Sequence, residues 1–147
     1  MGKVSATIEL PYAIDDVFRV ATRVEDLRRW LPEVADAELL DPALVTGARV
    51  RLRLGPGTGN AVITGTVGEL RPPTLLAIAG SGGPLSIKVR TMLAPQEPGA
   101  TRVSLQVELS APPFLGFIAK EVERRIHAEL PASLERFRAL MEADQAG

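Results

Sequence analysis

The chain has 147 residues, of which 46% are hydrophobic, 24% are charged and 4% are aromatic. This length and composition are those of one folded globular domain, so we expect a single domain over residues 1–147 and no extensive disorder. A formal net charge of −1 gives no electrostatic attraction to nucleic acid or to an anionic membrane, and the absence of cysteine excludes disulfides and thiolate metal sites.

A β-strand and two short helices are predicted at the start of the chain. Residues 4–10 alternate apolar and polar side chains, as in a strand with one buried face, and a proline ends this pattern. Residues 13–24 carry apolar side chains at helical spacing, with two aspartates in the first turn. Residues 25–32 predict a second helix of one to two turns, which contains Trp30, the only tryptophan, and ends at Pro32.

The middle of the chain predicts an antiparallel meander. Apolar or alternating segments, separated by turns rich in glycine and proline, cover residues 49–55, 61–70, 74–80, 85–93 and 101–109. In the first of these segments three arginines alternate with three apolar residues, so we assign the arginines to the solvent face. If sequential strands pair, Lys88 and Arg90 meet Glu108 or Gln106 across the sheet.

One long amphipathic helix is predicted over residues 114–143. Its apolar side chains form one stripe at helical spacing, made of Ile118, Val122, Ile126, Leu130, Phe137 and Met141. Pro131 lies inside this segment, where it removes one backbone hydrogen bond and is expected to kink the helix.

The order of these elements resembles the START-like superfamily, also called SRPBCC. The resemblance rests on ATIELPYAIDDVFRVATRVEDLRRWLPEV near the start and ELPASLERFRALMEA near the end, and it covers nearly the whole chain. The superfamily includes the polyketide cyclase/dehydrase family, the birch-pollen-allergen fold and proteins similar to the G subunit of carbon monoxide dehydrogenase. The resemblance implies an α+β helix-grip fold, in which a curved antiparallel sheet of six to seven strands encloses a cavity around the long C-terminal helix. Two short helices follow the first strand and close one end of that sheet.

Catalytic and cofactor motifs are sparse. The single histidine, His127, falls at the border of the apolar stripe, where surface or edge packing is its expected role. No nucleophile elbow and no cluster of metal ligands is present, so we expect no metal and assign no catalytic residue. Two glycine-rich stretches, residues 55–59 and 80–83, lie between strand patterns and are interpreted as hairpin turns rather than phosphate loops. We therefore expect no cofactor.

The resemblance implies a largely aliphatic cavity between the sheet and the long helix. The residues predicted to line it are Phe18, Trp30, Leu31, Leu52, Leu54, Ile87, Val89, Leu105, Val107, Ile118, Val122, Ile126, Glu129, Leu130, Ser133 and Phe137. A buried Glu129 would be able to act as a general acid or base, whereas an exposed one would be solvated. Small residues on the same segments leave space for a ligand, unless neighbouring side chains fill it.

The sequence allows two interpretations of Trp30. On a short helix that plugs the open end of the sheet, its indole caps the core while the N–H group reaches solvent or a ligand. Alternatively, Trp30 and Leu31 simply seal the core. Both interpretations can hold together.

Two functions from different classes are consistent with this pattern. The first is binding of a hydrophobic or amphipathic small molecule, such as a lipid, isoprenoid quinone or polyketide intermediate, in the cavity. The alternative is an enzyme resembling the polyketide cyclases, which promotes aldol cyclisation and dehydration in the same cavity. A third role, in protein interaction through the outer surface, leaves little trace in a sequence. We expect a cytoplasmic monomer or homodimer with an apolar ligand, no nucleic-acid partner and no transmembrane segment.

Overall fold

The computed structural model describes residues 2–146. Seven strands form one antiparallel sheet in the order β1-β7-β6-β5-β4-β3-β2. Their bounds are Gly2–Leu10 (β1), Val34–Leu39 (β2), Arg49–Leu54 (β3), Val62–Arg71 (β4), Leu75–Gly82 (β5), Leu85–Pro95 (β6) and Thr101–Ser110 (β7). Each strand from β2 to β6 pairs with the next strand in sequence, and β1 lies at one edge of the sheet, paired with β7. The predicted meander is confirmed.

Two helices follow β1, and one long helix ends the described chain. Helix α1 covers Ile14–Ala21, a 3₁₀ helix covers Val24–Arg29, and α2 covers Gly116–Ala146. Short 3₁₀ turns also occur at Pro56–Thr58 and Pro113–Leu115. This arrangement confirms the expected helix-grip fold, with α2 packed against β1 and β7.

Most element ends differ from the sequence prediction by one to three residues, and three differences are of another kind or bear on the site. Strand β2 was not predicted, because the apolar positions of its segment VADAEL that alternate with the two acidic residues are mostly small alanines, which give a weak strand signal. The second short helix is a 3₁₀ helix that ends before Trp30. Helix α2 begins two residues later than expected, after the short turn at Pro113–Leu115, and continues as one helix through Pro131.

The sheet separates a buried inner face from a solvated outer face. Inner positions of β3, β6 and β7 are all buried, namely Val50, Leu52, Leu54, Leu85, Ile87, Val89, Val103, Leu105, Val107 and Leu109. The arginines of β3 are exposed, and Arg51 pairs with Glu38 of β2 on the outer face. Lys88 lies opposite Glu108 and Arg90 lies opposite Gln106, so the predicted cross-strand pairing is confirmed.

Close approach of β4 and β5 depends on a pair of glycines. Gly65 and Gly80 face each other across these strands. A Cβ atom added at Gly80 would lie 2.5 Å from the Thr64 carbonyl oxygen and 2.6 Å from the Gly65 Cα atom. Any side chain at this position would therefore force the two backbones apart.

The last turn of α2 is tied to α1 by ion pairs. Asp144 Oδ2 lies 2.8 Å from Arg19 Nη2, and Asp144 Oδ1 lies 2.9 Å from Arg23 Nη2. Hydrogen bonds from these two guanidinium groups hold the pKa of the Asp144 carboxyl well below its usual range. These contacts hold the last turn of α2 against α1 and the residues that directly follow α1.

Candidate functional site

An apolar slot lies inside the protein, between the inner face of the sheet, α2 and the segment after the 3₁₀ helix. It is lined by Leu31, Pro32, Glu33, Val34, Leu52, Leu54, Ile87, Val89, Val107 and Ile126. Glu33 is the only charged residue in this lining. The volume of the slot is about 10 Å³, which is enough for about one water molecule. In this conformation, neighbouring side chains fill most of the space that a ligand would need.

A larger apolar groove opens beside the slot at the start of α2. Its volume is about 300 Å³, at the lower end of the range for small-molecule sites. It is lined by Gly57, Thr58, Ala61, Gly82, Pro84, Leu85, Phe117, Ile118, Glu121 and Val122. At its edge Phe117 is 70% exposed and Ile118 is 37% exposed. Ile118, which was predicted to line an enclosed cavity, therefore borders this open groove instead, because it lies in the first turn of α2.

The groove and the slot share their walls. Leu85 in the groove and Ile87 in the slot are two residues apart on β6, so both side chains point to the same face of the strand. Val122 in the groove and Ile126 in the slot are four residues apart on α2, so they lie on the same face of the helix. One strand and one helix thus carry a continuous apolar surface from the exterior into the interior.

An ion pair stands at the junction of the groove and the slot. Arg125 of α2 donates from Nε to Oε1 of Glu33 at 2.8 Å, and the Glu33 side chain is only 9% exposed. Glu33 adopts a φ of 60°, which is uncommon for a residue with a side chain. The guanidinium also lies against Gly57, where an added Cβ atom would come within 2.1 Å of Nη2. We call this arrangement of Glu33, Arg125 and Gly57 the latch.

A polar cleft lies on the surface next to the same segment. Its volume is about 360 Å³. It is lined by Arg28, Arg29, Leu31, Glu33, Val34, Ala35, Gly55, Glu129 and Arg136. Glu129 accepts a hydrogen bond at 3.3 Å from the Glu33 backbone N–H and lies 3.9 Å from Arg136. Glu129 is half-exposed in this cleft and does not line the slot, which corrects its expected place in the cavity.

Trp30 belongs to the sealed core. Its side chain has 0% exposure, and its ring packs against Phe137 with a centroid distance of 4.6 Å. The indole N–H is buried and has no hydrogen-bond partner within residues 2–146. The first interpretation is wrong in placing the N–H group at solvent, because β2 covers the 3₁₀ helix and Phe137 covers the ring.

The other predicted lining residues fall into three places. Leu31, Leu52, Leu54, Ile87, Val89, Val107 and Ile126 line the slot. Val122 and Ile118 line the groove. Phe18 is half-buried, and Leu105, Leu130, Ser133 and Phe137 are buried, but none of these five lines the slot or the groove. Pro32, Glu33 and Val34 were missed, although they directly follow the short helix that the resemblance placed at the open end of the sheet.

Polar groups inside the protein are few, and most are already bonded. The buried hydroxyl of Ser133 donates to the Trp30 carbonyl, and that of Thr101 donates to the Tyr12 carbonyl at 2.8 Å. His127 is exposed, as expected. Within residues 2–146 no three His, Cys, Asp or Glu side chains are grouped to hold a metal ion. Among the residues that line the slot, only Glu33 has a side chain that can take up or release a proton.

None of the helices in residues 2–146 is both long enough and apolar enough to cross a membrane. This agrees with the polar outer face of α2, which carries many charged residues.

Solved structures with the same fold come from several bacteria. The aromatase/cyclase Zhui from Streptomyces sp. R1128 has a TM-score of 0.77 at 15% identity, covering 96% of this chain and 93% of that chain. The protein TTHA0849 from Thermus thermophilus has a TM-score of 0.77 at 20% identity, covering 97% and 99% of the two chains. A START superfamily protein from Mycobacterium smegmatis has a TM-score of 0.69 at 14% identity, covering 96% and 97%. These structures support the fold alone.

Sequence relatives also span the chain. Toxin Rv0910 from Mycobacterium tuberculosis is 27% identical over 143 residues, covering 93% of this chain and 96% of the relative. The family described as "Polyketide cyclase / dehydrase and lipid transport" matches residues 1–142. With its seven-stranded sheet gripping a long C-terminal helix, the chain belongs to this polyketide cyclase/dehydrase and lipid transport family.

Proposed function

We propose that this protein binds the apolar part of a hydrophobic or amphipathic small molecule in the slot and the groove. The observation that carries this proposal is the continuous apolar surface that leads from the groove, through Leu85 and Val122, to Ile87 and Ile126 in the slot. Burial of apolar surface contributes about 25 cal/mol per Å², so a wall of this kind favours an aliphatic or aromatic ligand. The family description, which includes lipid transport, is consistent with such a ligand.

Binding requires the interior to open. A slot of about 10 Å³ holds no organic ligand, whereas the adjoining groove of about 300 Å³ is open to solvent. The latch lies between these two spaces and is the only ion pair of Glu33 within residues 2–146. Separation of Arg125 from Glu33 would let the loop at Gly57 move away from α2 and join the groove to the slot. In the proposed mechanism, the present conformation is the closed one, because the slot and the groove are not joined.

The alternative function is a cyclase-type enzyme acting in the same space. The family description and the fold likeness to an aromatase/cyclase support it. Aldol cyclisation and dehydration need groups that move protons at the substrate. Glu33 is the only such group in the slot, and its carboxylate is paired with Arg125. Binding is therefore the better supported function.

Native mass spectrometry, combined with organic extraction of the purified protein, tests for a bound passenger. A titration with the neutral apolar dye Nile red then measures the affinity of the site. We expect saturable binding of one dye per chain, and we expect Ala61→Phe, which fills the groove, to weaken it at least tenfold. The matched control is Ala94→Phe at an exposed position outside the groove.

Equal dye binding by the two variants, or no saturable binding by the unaltered protein, would contradict the proposal. Incubation with a synthetic poly-β-ketone thioester tests the alternative function, that of a cyclase-type enzyme. A cyclised, dehydrated product that is lost in Glu33→Gln would establish the enzyme. An unchanged substrate would support binding alone.

A further inference from the structure

The polar cleft carries an excess of positive charge next to an apolar interior. Three arginines and two glutamates line it. Arginines that converge on one concave surface are suited to carboxylate and phosphate groups, because the planar guanidinium offers paired N–H donors to both. The cleft thus has the chemistry of a site for an anion.

The two glutamates of the cleft are already engaged. Glu33 is bound by Arg125, which does not line the cleft, so its charge is neutralised from the other side. Glu129 accepts from the backbone N–H of Glu33 and faces Arg136 at 3.9 Å. Arg28 forms no ion pair in the part of the chain that the structure describes, and Arg29 lies 3.4 Å from Asp26. Arg28 is therefore available to an incoming anion.

Arg136 is held in place for such a role. Its Nη2 donates to the Trp30 carbonyl oxygen at 3.2 Å, and the same carbonyl accepts from the buried Ser133 hydroxyl. Since Trp30 is fixed against Phe137 in the core, the guanidinium is tied to a rigid part of the fold. A pre-positioned guanidinium loses less conformational freedom when it binds an anion.

The cleft and the slot are separated by a single layer of residues. Leu31, Glu33 and Val34 line both of them. Along α2, the groove residue Val122 comes first, the slot residue Ile126 next, and the cleft residues Glu129 and Arg136 last. One extended molecule lying along α2 would place its chain in the groove and slot and its end in the cleft.

We propose that the ligand is an amphiphile with a single anionic head group, a carboxylate or a phosphate, which binds to Arg28, Arg29 and Arg136 in the cleft while its apolar chain occupies the slot. This proposal rests on the proposed function, since the slot must accept the chain. It adds the class of ligand and a specificity site on the surface of the fold.

The test uses four probes that share a ten-carbon chain and differ in the head group. Decanoate, decyl phosphate, decanol and decylammonium are titrated below their micelle concentrations, with binding measured by calorimetry at low and high salt. We expect both anions, or one of them, to bind about tenfold more tightly than decanol, and decylammonium to bind more weakly than decanol. The preference should shrink at high salt, because screening weakens exposed charge pairs. Comparison of the two anions distinguishes a carboxylate from a phosphate ligand.

Two variants test whether the preference for an anionic head group arises from the cleft. Arg28→Gln and Arg136→Gln should each lower the affinity for the preferred anion about fivefold to tenfold and leave the affinity for decanol unchanged. Arg28 is exposed and bonded to no core group, so its variant is expected to fold normally even if Arg136→Gln is destabilised. The control is Arg51→Gln on the outer face of the sheet, which should change neither affinity.

The outcomes separate the two proposals. If decanol binds and the anions bind no better, the anionic ligand is excluded and the apolar site stands. The same conclusion follows if Arg28→Gln weakens decanol and the anions equally. If no probe binds, both the head-group site and the proposed function are overturned.

Discussion

Arg125 Nε lies 2.8 Å from Glu33 Oε1, and this pair joins α2 to the segment that follows the 3₁₀ helix. The two residues are 92 positions apart in the chain. Their ion pair sits where the groove, the slot and the polar cleft come closest, since Glu33 lines two of these spaces and Arg125 lies against Gly57 of the third. Opening of the site, as proposed above, would break this contact.

Removal of the latch charge should speed ligand uptake. In Arg125→Gln the closed state loses a half-exposed ion pair worth about 1 kcal/mol, so we expect the association rate of Nile red to rise about fivefold. Stopped-flow fluorescence measures this rate. The control is Arg124→Gln, whose guanidinium pairs with Glu121 on the exposed face of α2. Equal rates in the two variants would show that the latch does not limit opening.

A cavity made in the slot should bind apolar molecules, whereas one made elsewhere should not. Ile87→Ala removes part of the slot wall and Leu134→Ala removes a buried side chain that lines neither the slot nor the groove. Both variants should lose about 2–5 kcal/mol of unfolding free energy in urea. Only Ile87→Ala should bind Nile red more tightly. A gain of dye affinity in both variants would mean that the dye reports general loosening of the core.

The close approach of β4 and β5 predicts that replacing a glycine with alanine has different effects on stability at two positions of this strand pair. Gly80→Ala would place a methyl group 2.5 Å from the Thr64 carbonyl oxygen, and we expect a loss of at least about 1–3 kcal/mol in unfolding free energy. Gly68→Ala meets its nearest neighbouring atom, the Ala77 carbonyl oxygen, only at 4.0 Å. That variant should be neutral or more stable by up to about 1 kcal/mol. Equal urea midpoints would refute the close approach.

Acid should weaken the link between α1 and α2. The folded-state pKa of Asp144 lies below its unfolded value of about 3.9, so the folded chain binds fewer protons at this group. Its contribution to stability is fully present above about pH 4 and is lost as the pH falls towards the folded-state pKa. Asp144→Asn should lower the Tm at pH 7, and the difference from the unaltered protein should shrink at about pH 3. The control is Glu142→Gln at an exposed neighbouring position, which should leave the Tm at pH 7 unchanged.

The faces of the strands and the long helix were predictable because they follow from local periodicity. Val50, Leu52 and Leu54 point inward and the intervening arginines point outward, as a period of two residues requires. The slot walls on β3, β6, β7 and α2 were found for the same reason. Strand β2 escaped prediction because its stability comes from pairing with β3, where Glu38 lies opposite Arg51, and not from its own apolar residues.

The residue pattern was enough to predict the order of the elements other than β2, the buried faces of β1, β3, β6 and β7, and the apolar stripe of α2. Tertiary structure alone decided that Trp30 is sealed rather than exposed, that the slot is closed, and that Glu33 meets Arg125. The sequence pattern reports which side of an element is apolar, because that depends on residues a few positions apart. The site depends on contacts between residues about ninety positions apart, and these exist only once α2 is laid across the sheet.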